Sequence, residues 1–193
     1  CDLKTLKNIL RYFGDEKDSS RIANNIIKER KKLPILSVPK LVEIIQRSKK
    51  KNFKRKINIC TQTFQAIRIF VNKEISELVD GLIKSTRFLK KGGKLIVISF
   101  HSLEDKIVKF YFTNYSKNKS KGSRYYPQIK NDKTLFENYK NKIITPKEHE
   151  IKENPSSRSA KLRYAIRSQE NYFYPEELKK KFSHYLNLES EHV

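Results

Sequence analysis

The stretch Lys91-Gly-Gly-Lys-Leu-Ile-Val-Ile-Ser-Phe-His-Ser-Leu-Glu-Asp-Lys106 decides how the rest of the chain is read. Its Gly92-Gly93 pair accepts backbone angles that other residues avoid, and so supplies a turn. Leu95 to Ile98 follows as an unbroken aliphatic, β-branched run. Such a run suits a strand buried on both faces of a parallel sheet rather than a half-exposed one. The polar knot Ser99-Phe100-His101-Ser102 comes next, and Leu103, Ile107 and Tyr111 then recur at helical spacing. In open α/β sheets ligands sit beyond the carboxyl ends of the strands, which makes this strand, loop and helix a candidate site. A purely structural reading competes for part of it. Ser102 with Asp105 three residues on matches a serine N-cap and its acidic partner, which satisfy orphan amides at a helix start. Ser99, His101 and Glu104 are not needed for that cap, and they carry the functional reading.

Upstream, one long helix is expected from residue 63 towards 89. Phe64, Ile67, Val71, Ile75, Leu78 and Leu82 form its apolar face, and Arg68, Asn72 and Lys73 lie opposite. A helix leading through Gly-Gly into a parallel strand is half of a βαβ crossover. Before it, Lys49-Lys-Lys-Asn-Phe-Lys-Arg-Lys56 breaks the apolar pattern. This basic run reads as a solvated linker or as a phosphate-contacting arm, and the two are compatible. Three short helices precede it. Asp2 caps the first, which carries Leu3, Leu6, Leu10 and Phe13 on one side and ends at Gly14. Ser19 or Ser20 opens the second, with Ile22, Ile26 and Ile27 apolar, and it closes before Pro34. The third begins near Ser37, with Pro39 in its first turn and Leu41, Ile44 and Ile45 inward.

Downstream of the helix at 103–114, Tyr115, Lys117, Lys119, Lys121, Arg124, Tyr125 and Tyr126 interleave rings with cations. That pattern either holds phosphates while the rings stack on bases, or is a solvated loop of the same composition. Residues 142–145 read as a short strand and Asn154-Pro155-Ser-Ser-Arg158-Ser159 as a turn. Residues 160–167 alternate Leu162, Tyr164 and Ile166 against Lys161, Arg163 and Arg167, a period-two strand. From Tyr172 onward Leu178, Phe182 and Leu186 mark one more amphipathic helix.

The 193 residues can bury a core and form one or two domains. Lys plus Arg number 43 against 21 Asp plus Glu, a formal charge of +22. Such a surface attracts polyanions and points to nucleic acid, although abundant lysine, asparagine and isoleucine also follow from compositional drift alone. No apolar run approaches the roughly 20 residues that span a bilayer. Two cysteines, Cys1 and Cys60, make neither a disulfide framework nor a metal cluster, and a reducing, cytoplasmic setting fits. The chain begins at Cys1 and contains no methionine, so a processed product or a piece of something longer is expected.

Taken together, these residues resemble the bacterial MraW-type methyltransferases, which modify the N4 amine of a cytosine in small-subunit ribosomal RNA. Three blocks carry the resemblance: Thr63-Phe-Gln-Ala-Ile-Arg68-Ile-Phe-Val-Asn72-Lys-Glu74, Gly92 through Lys109, and Asn154-Pro-Ser-Ser-Arg158-Ser-Ala-Lys-Leu-Arg163. Tyr12-Phe-Gly14-Asp-Glu16 followed by Ile22-Ala23 is a weaker fourth. The implied fold class is α/β: the C-terminal part of a class I, Rossmann-like methyltransferase sheet domain plus part of a helical inserted domain. Residues 1–60 would be that insert, 61–170 the C-terminal half of the sheet domain, and 171–193 a helical tail. Residues 95–100 would be the fifth strand.

The resemblance implies S-adenosylmethionine as methyl donor and small-subunit ribosomal RNA, or the small subunit itself, as partner. It leaves the oligomeric state open, with a homodimer among the options, and involves no membrane. His101, Glu104 and Ser99 are the candidate catalytic residues. Arg68, Asn72, Ser102, Lys106, Lys109, Arg158, Lys161 and Arg163 are the candidate RNA contacts. Before the long helix the family usually carries a proline and an arginine, where this chain has Ile59 and Gln62. The family holds its cofactor mainly by a glycine-rich loop and strand-borne acids. No glycine-rich loop follows a strand here, so the cofactor-binding residues are expected upstream and none is assigned in this chain. A non-enzymatic RNA- or ribosome-binding protein without a cofactor site is the alternative.

Overall fold

The computed structural model describes residues 1–49, 58–117, 134–137 and 139–190. The chain divides into two units, Cys1–Ser76 with Ser183–Val193, and Glu77–Phe182.

In the first unit α1 (Leu3–Gly14), α2 (Ser19–Lys32), α3 (Val38–Ser48) and α4 (Thr61–Asn72) form a helical module. The Asp2 carboxylate accepts the Thr5 N–H at 2.7 Å, the N-cap expected from sequence. Ser37 is the N-cap position of α3, with Pro39 in its first turn. Leu6, Ile9, Leu10 and Phe13 of α1, Ile22, Ala23 and Ile26 of α2, and Ile44 and Ile45 of α3 are buried, with α1 packed on α2 and α4 and α2 on α3. α1 ends at Gly14 as expected, although the left-handed cap itself is Asp15 (φ 49°). A Cβ on Gly14 would lie 2.4 Å from the Gln62 carbonyl oxygen and 3.0 Å from the Ala66 Cβ. The glycine therefore lets α1 approach α4 closely. On α4 Ala66 lies against Gly14, and Thr63, Ala66 and Ile69 are buried, while Val71 is 68% exposed. The inward face expected on Phe64, Ile67 and Val71 is thus rotated.

The single long helix is also two. Lys73 adopts a left-handed conformation (φ 52°) and separates α4 from α5 (Glu74–Phe88). The break is held by side chains: Arg68 donates to both Glu74 carboxylate oxygens at 2.8 and 3.0 Å, and Asn72 Nδ2 donates to Oε1 at 3.1 Å. Buried Glu189, near the C-terminal end of the chain, accepts the N–H groups of Ile75 and Ser76 at 3.1 and 2.8 Å. A second tie lies at the start of α4. Glu16, 1% exposed, pairs with Lys49 and accepts from the Thr63 hydroxyl at 3.2 Å. Lys49, the first residue of the basic run, is therefore buried, and residues 50–57 lie outside the described residues.

In the second unit Gly92 (φ 77°) makes the expected turn into β1 (Lys94–Ser99). Then come α6 (Ser102–Asn114), α7 (Glu148–Glu153), a 3-10 turn (Pro155–Ser159), β2 (Lys161–Ile166) and the start of α8 (Glu176–Ser190), whose residues from Ser183 on are counted in the first unit. β1 pairs antiparallel with β2, Val97 opposite Arg163 and Ser99 opposite Lys161. The stretch expected as a strand at 142–145 contributes one antiparallel bridge, Ile144 to Leu162. β1 is not buried on both faces among the described residues. α6 covers the face of Leu95, Val97 and Ser99, whereas Ile96 and Ile98 are 57% and 54% exposed. The aliphatic run reports what the strand is built to bury; the described residues cover one side of it.

β2 has the expected period of two with the opposite face inward. Arg163, Ala165 and Arg167 are 2–3% exposed, and Tyr164 is exposed. Arg167 is accommodated because it donates to the carbonyls of Leu135, Ser168 and Glu170 at 2.9, 3.3 and 3.1 Å. Leu103, Ile107, Val108, Tyr111 and Phe112 of α6 form the core with Phe136 and Tyr139. Phe136 meets Tyr111 and Phe112 edge to face at 5.3 and 5.1 Å. Tyr115 is no exposed stacking platform: it is 7% exposed and its hydroxyl accepts the Leu178 N–H at 3.2 Å. Burial pushes that hydroxyl up to about 12. Lys119, Lys121, Arg124, Tyr125 and Tyr126 lie outside the described residues. The expected terminal helix is α8, with Leu178 and Phe182 buried.

Candidate functional site

The carboxyl end of β1 runs directly into α6, and His101 sits at the junction. Its backbone is extended (φ −134°), and its Nδ1 accepts the Glu104 N–H at 3.4 Å. In return Glu104 Oε2 accepts the N–H groups of Phe100 and His101 at 2.8 and 3.3 Å. This is a reciprocal capping box in which histidine takes the place of serine or threonine. The cap expected of Ser102 and Asp105 is therefore made one residue earlier, by the two residues set aside as unnecessary for it. Ser102 is the exposed first residue of the helix, and Asp105 is free for another partner.

The capping geometry fixes the chemistry of the ring. With Nδ1 an acceptor, a neutral imidazole carries its proton on Nε2. That Nε2 is buried and hydrogen-bonded to nothing among the described residues. It lies 3.3 Å from Glu104 Oε1 without the alignment of a hydrogen bond, on a side chain 7% exposed. Burial works to raise the Glu104 carboxyl. The His101 side chain and the Phe100 and His101 amides outweigh it and hold the group below the usual carboxylate range. Glu104 is thus an anion near neutrality and a weak proton acceptor. Ser99 is 3% exposed and donates to the Lys161 carbonyl at 3.4 Å, so its hydroxyl is spent on the sheet.

Asp105 closes the back of the loop. Arg163 donates to its two oxygens through Nε and Nη2 at 2.7 and 3.2 Å, and Lys161 Nζ lies 3.4 Å away. Arg163 Nη1 donates to the Tyr139 hydroxyl and Asn141 Oδ1, both at 2.9 Å. Burial raises the Asp105 carboxyl, but Arg163 and Lys161 prevail and keep it below the ordinary range. Arg163, expected on the RNA surface, is instead an interior brace, because a guanidinium with a bidentate carboxylate and two further acceptors is satisfied without solvent.

The remaining candidates separate. Ser102, Lys106 and Lys109 form one exposed stripe of α6 at positions i, i+4 and i+7. Lys161 keeps 39% of its side chain exposed, and Arg158 is exposed on the 3-10 turn, whose first amides Asn154 caps at 3.2 Å. Arg68 and Asn72, in the first unit, hold the break before α5. From sequence, Asp105 is assigned to a cap with Ser102 rather than to Arg163, and Tyr139, Asn141, Glu16 and Lys49 are assigned no pairing role. Their roles depend on residues 22 or more positions away, apart from the Lys49 donation to Ile59.

A helical module and a mixed α/β unit, with a strand ending in a histidine-capped helix, define the class of the protein. The chain belongs to the MraW methylase family, whose model matches residues 1–168. It is 42% identical over 165 residues to the ribosomal RNA small subunit methyltransferase H of Cereibacter sphaeroides (strain KD131 / KCTC 12085), covering 86% of this chain and 50% of the relative. The proteins of the same name from Afipia carboxidovorans and Agrobacterium fabrum are 42% and 40% identical. They cover 86% and 84% of this chain, and 49% and 48% of their own lengths are matched. The chain spans about half the length of the curated relatives it matches.

Proposed function

We propose that this chain serves, as part of a longer enzyme, in methylating the N4 amine of a cytosine in small-subunit ribosomal RNA in the cytoplasm. The donor in such a reaction is S-adenosylmethionine, which supplies an electrophilic methyl group. The described residues offer no cradle for it: the Gly92-Gly93 turn precedes its strand, and a Cβ on Gly92 would meet nothing within 4 Å.

The observation that carries the reading is the buried Nε2 of His101 at the carboxyl end of β1, 3.3 Å from Glu104 Oε1 but without a hydrogen bond among the described residues. A cytosine offers ring acceptors beside its exocyclic amine, and an Nε2–H held rigid by the capping box suits one of them. Holding the base in line contributes through orientation, which can lower a barrier by about 7–11 kcal/mol. The target must first be unstacked and held by its Watson–Crick edge. Ser102, Lys106, Lys109, Arg158 and Lys161 then offer phosphate contacts that set register without reading sequence. The uncovered face of Ile96 and Ile98 supports β1 as an interior strand of a Rossmann-like sheet, with β2 as its antiparallel neighbour.

The test is methyl transfer by the complete gene product from isotopically labelled S-adenosylmethionine to small subunits lacking this modification. Nucleoside mass spectrometry should find the label in N4-methylcytidine. Label absent, or carried by another base, would overturn the proposal.

A further inference from the structure

Between α3 and α4 of the first unit lies an open trough of about 670 Å³. Phe64, half-buried, contributes its ring, and Gln46 and Gln65 contribute primary amides. Cys60 lies at its base, 5% exposed, and Asn58 and Arg68 stand at its ends. Among the described residues no carboxylate lines it. The Asn58 side chain is used to accept the Cys60 N–H at 2.9 Å, and Arg68 is held by Glu74. Neither glutamine side chain has a hydrogen-bond partner among the described residues.

We propose that this trough binds one unpaired nucleotide of the RNA. The proposal rests on the reading of this chain as part of an RNA-modifying enzyme, and it names where flanking sequence is read. Single-stranded RNA is recognised by splayed bases that stack on an aromatic ring and are hydrogen-bonded along their edges. Phe64 offers the ring. Each glutamine amide offers a donor and an acceptor side by side, the pattern that pairs bidentately with the N6 and N7 edge of adenine. Arg68 brings a cation to the rim. Its exposed pairing with Glu74 is of a kind worth about 0–1 kcal/mol, so a phosphate can share it. In the sequence, the residues immediately before Asn58 include the basic run Lys49 to Lys56, on a chain of formal charge +22. A polyanion is the occupant that this charge favours over an acidic-poor peptide.

The experiment uses the complete gene product and fluorescein-labelled single-stranded A12 and U12 RNA, read by fluorescence anisotropy. Gln65→Ala and Gln46→Ala are solvent-side changes. Phe64→Leu keeps apolar bulk but removes the ring, and guards against a Phe64→Ala variant that fails to fold. Loss of base stacking should weaken A12 binding about 5- to 150-fold. The glutamine changes should weaken A12 more than U12, whereas Lys109→Ala should weaken both alike. Unchanged A12 affinity in Phe64→Leu and in the double glutamine variant overturns the proposal. Methyl transfer by the wild type is measured alongside. Its absence refutes the proposed function, whereas its presence with unaltered oligonucleotide binding in the variants refutes only the trough.

Discussion

Asp105→Asn isolates the brace behind the candidate loop. Arg163 is 2% exposed, and Asp105 is its carboxylate partner, through contacts of 2.7 and 3.2 Å. Asparagine preserves one oxygen but turns an NH2 group towards a donor and removes the charge. Arg163 keeps its bonds to Tyr139 and Asn141, yet it becomes a buried cation without a counter-ion. Breaking a buried pair from one side costs about 3–5 kcal/mol. That is a large share of a domain stability of about 5–15 kcal/mol. Urea titration at pH 7, followed by circular dichroism and tyrosine fluorescence, reads the loss as a shifted midpoint at unchanged slope. Adding Arg163→Met should restore most of it, since removing both charges leaves no buried ion unpaired. The pH dependence adds a signed check. The folded Asp105 carboxyl is held below its unfolded value, so its stabilisation is present above the ordinary carboxylate range and is lost as pH falls through the folded value. The wild type should weaken below about pH 4, and the variant should lack that component while keeping the one from Glu104, whose carboxyl is lowered in the same sense. A loss under about 1 kcal/mol at pH 7 would refute the claim that Arg163 depends on this carboxylate.

His101→Asn separates the two roles of the histidine: asparagine is a good N-cap, so melting should change by no more than about 1 kcal/mol. Single-turnover methyl transfer by the complete gene product should nevertheless fall about 10²–10⁴-fold, and wild-type rates would remove His101 from the chemistry. Gly14→Ala drives a methyl group into the Gln62 carbonyl and should destabilise by about 1–3 kcal/mol despite the better helix propensity of alanine; an unchanged or raised melting temperature would contradict the close approach of α1 and α4. Affinity for ribosomal RNA should fall steeply with salt as released counter-ions dominate the binding, and a flat profile would show that the charge of +22 is not used for phosphate contact.

Local periodicity made much of the secondary structure legible. The capped first helix, the proline-started third, the turn at Gly92 and the two strands of the sheet all stand where spacing put them. Family membership was legible too, through blocks of side chains whose order survives in one dimension. The cap at His101 was readable in principle, because its partner Glu104 is three residues away. It was missed because serine is the commoner cap and stood next door.

What sequence could not determine was which way the elements face. On hydropathy alone Leu162, Tyr164 and Ile166 belong inside and Arg163 outside, since an unpaired buried guanidinium is costly. The order reverses because Asp105, 58 residues earlier in the chain, meets Arg163 across the sheet and helix. The face of α4 turns for a similar reason: Gly14 of α1 lies against the Gln62 backbone and Ala66, which sets the side of α4 that is covered. Spacing determines where an element forms because the interactions that make it are local. Burial of a charge, or close contact between helices, depends on a partner that only the folded chain supplies.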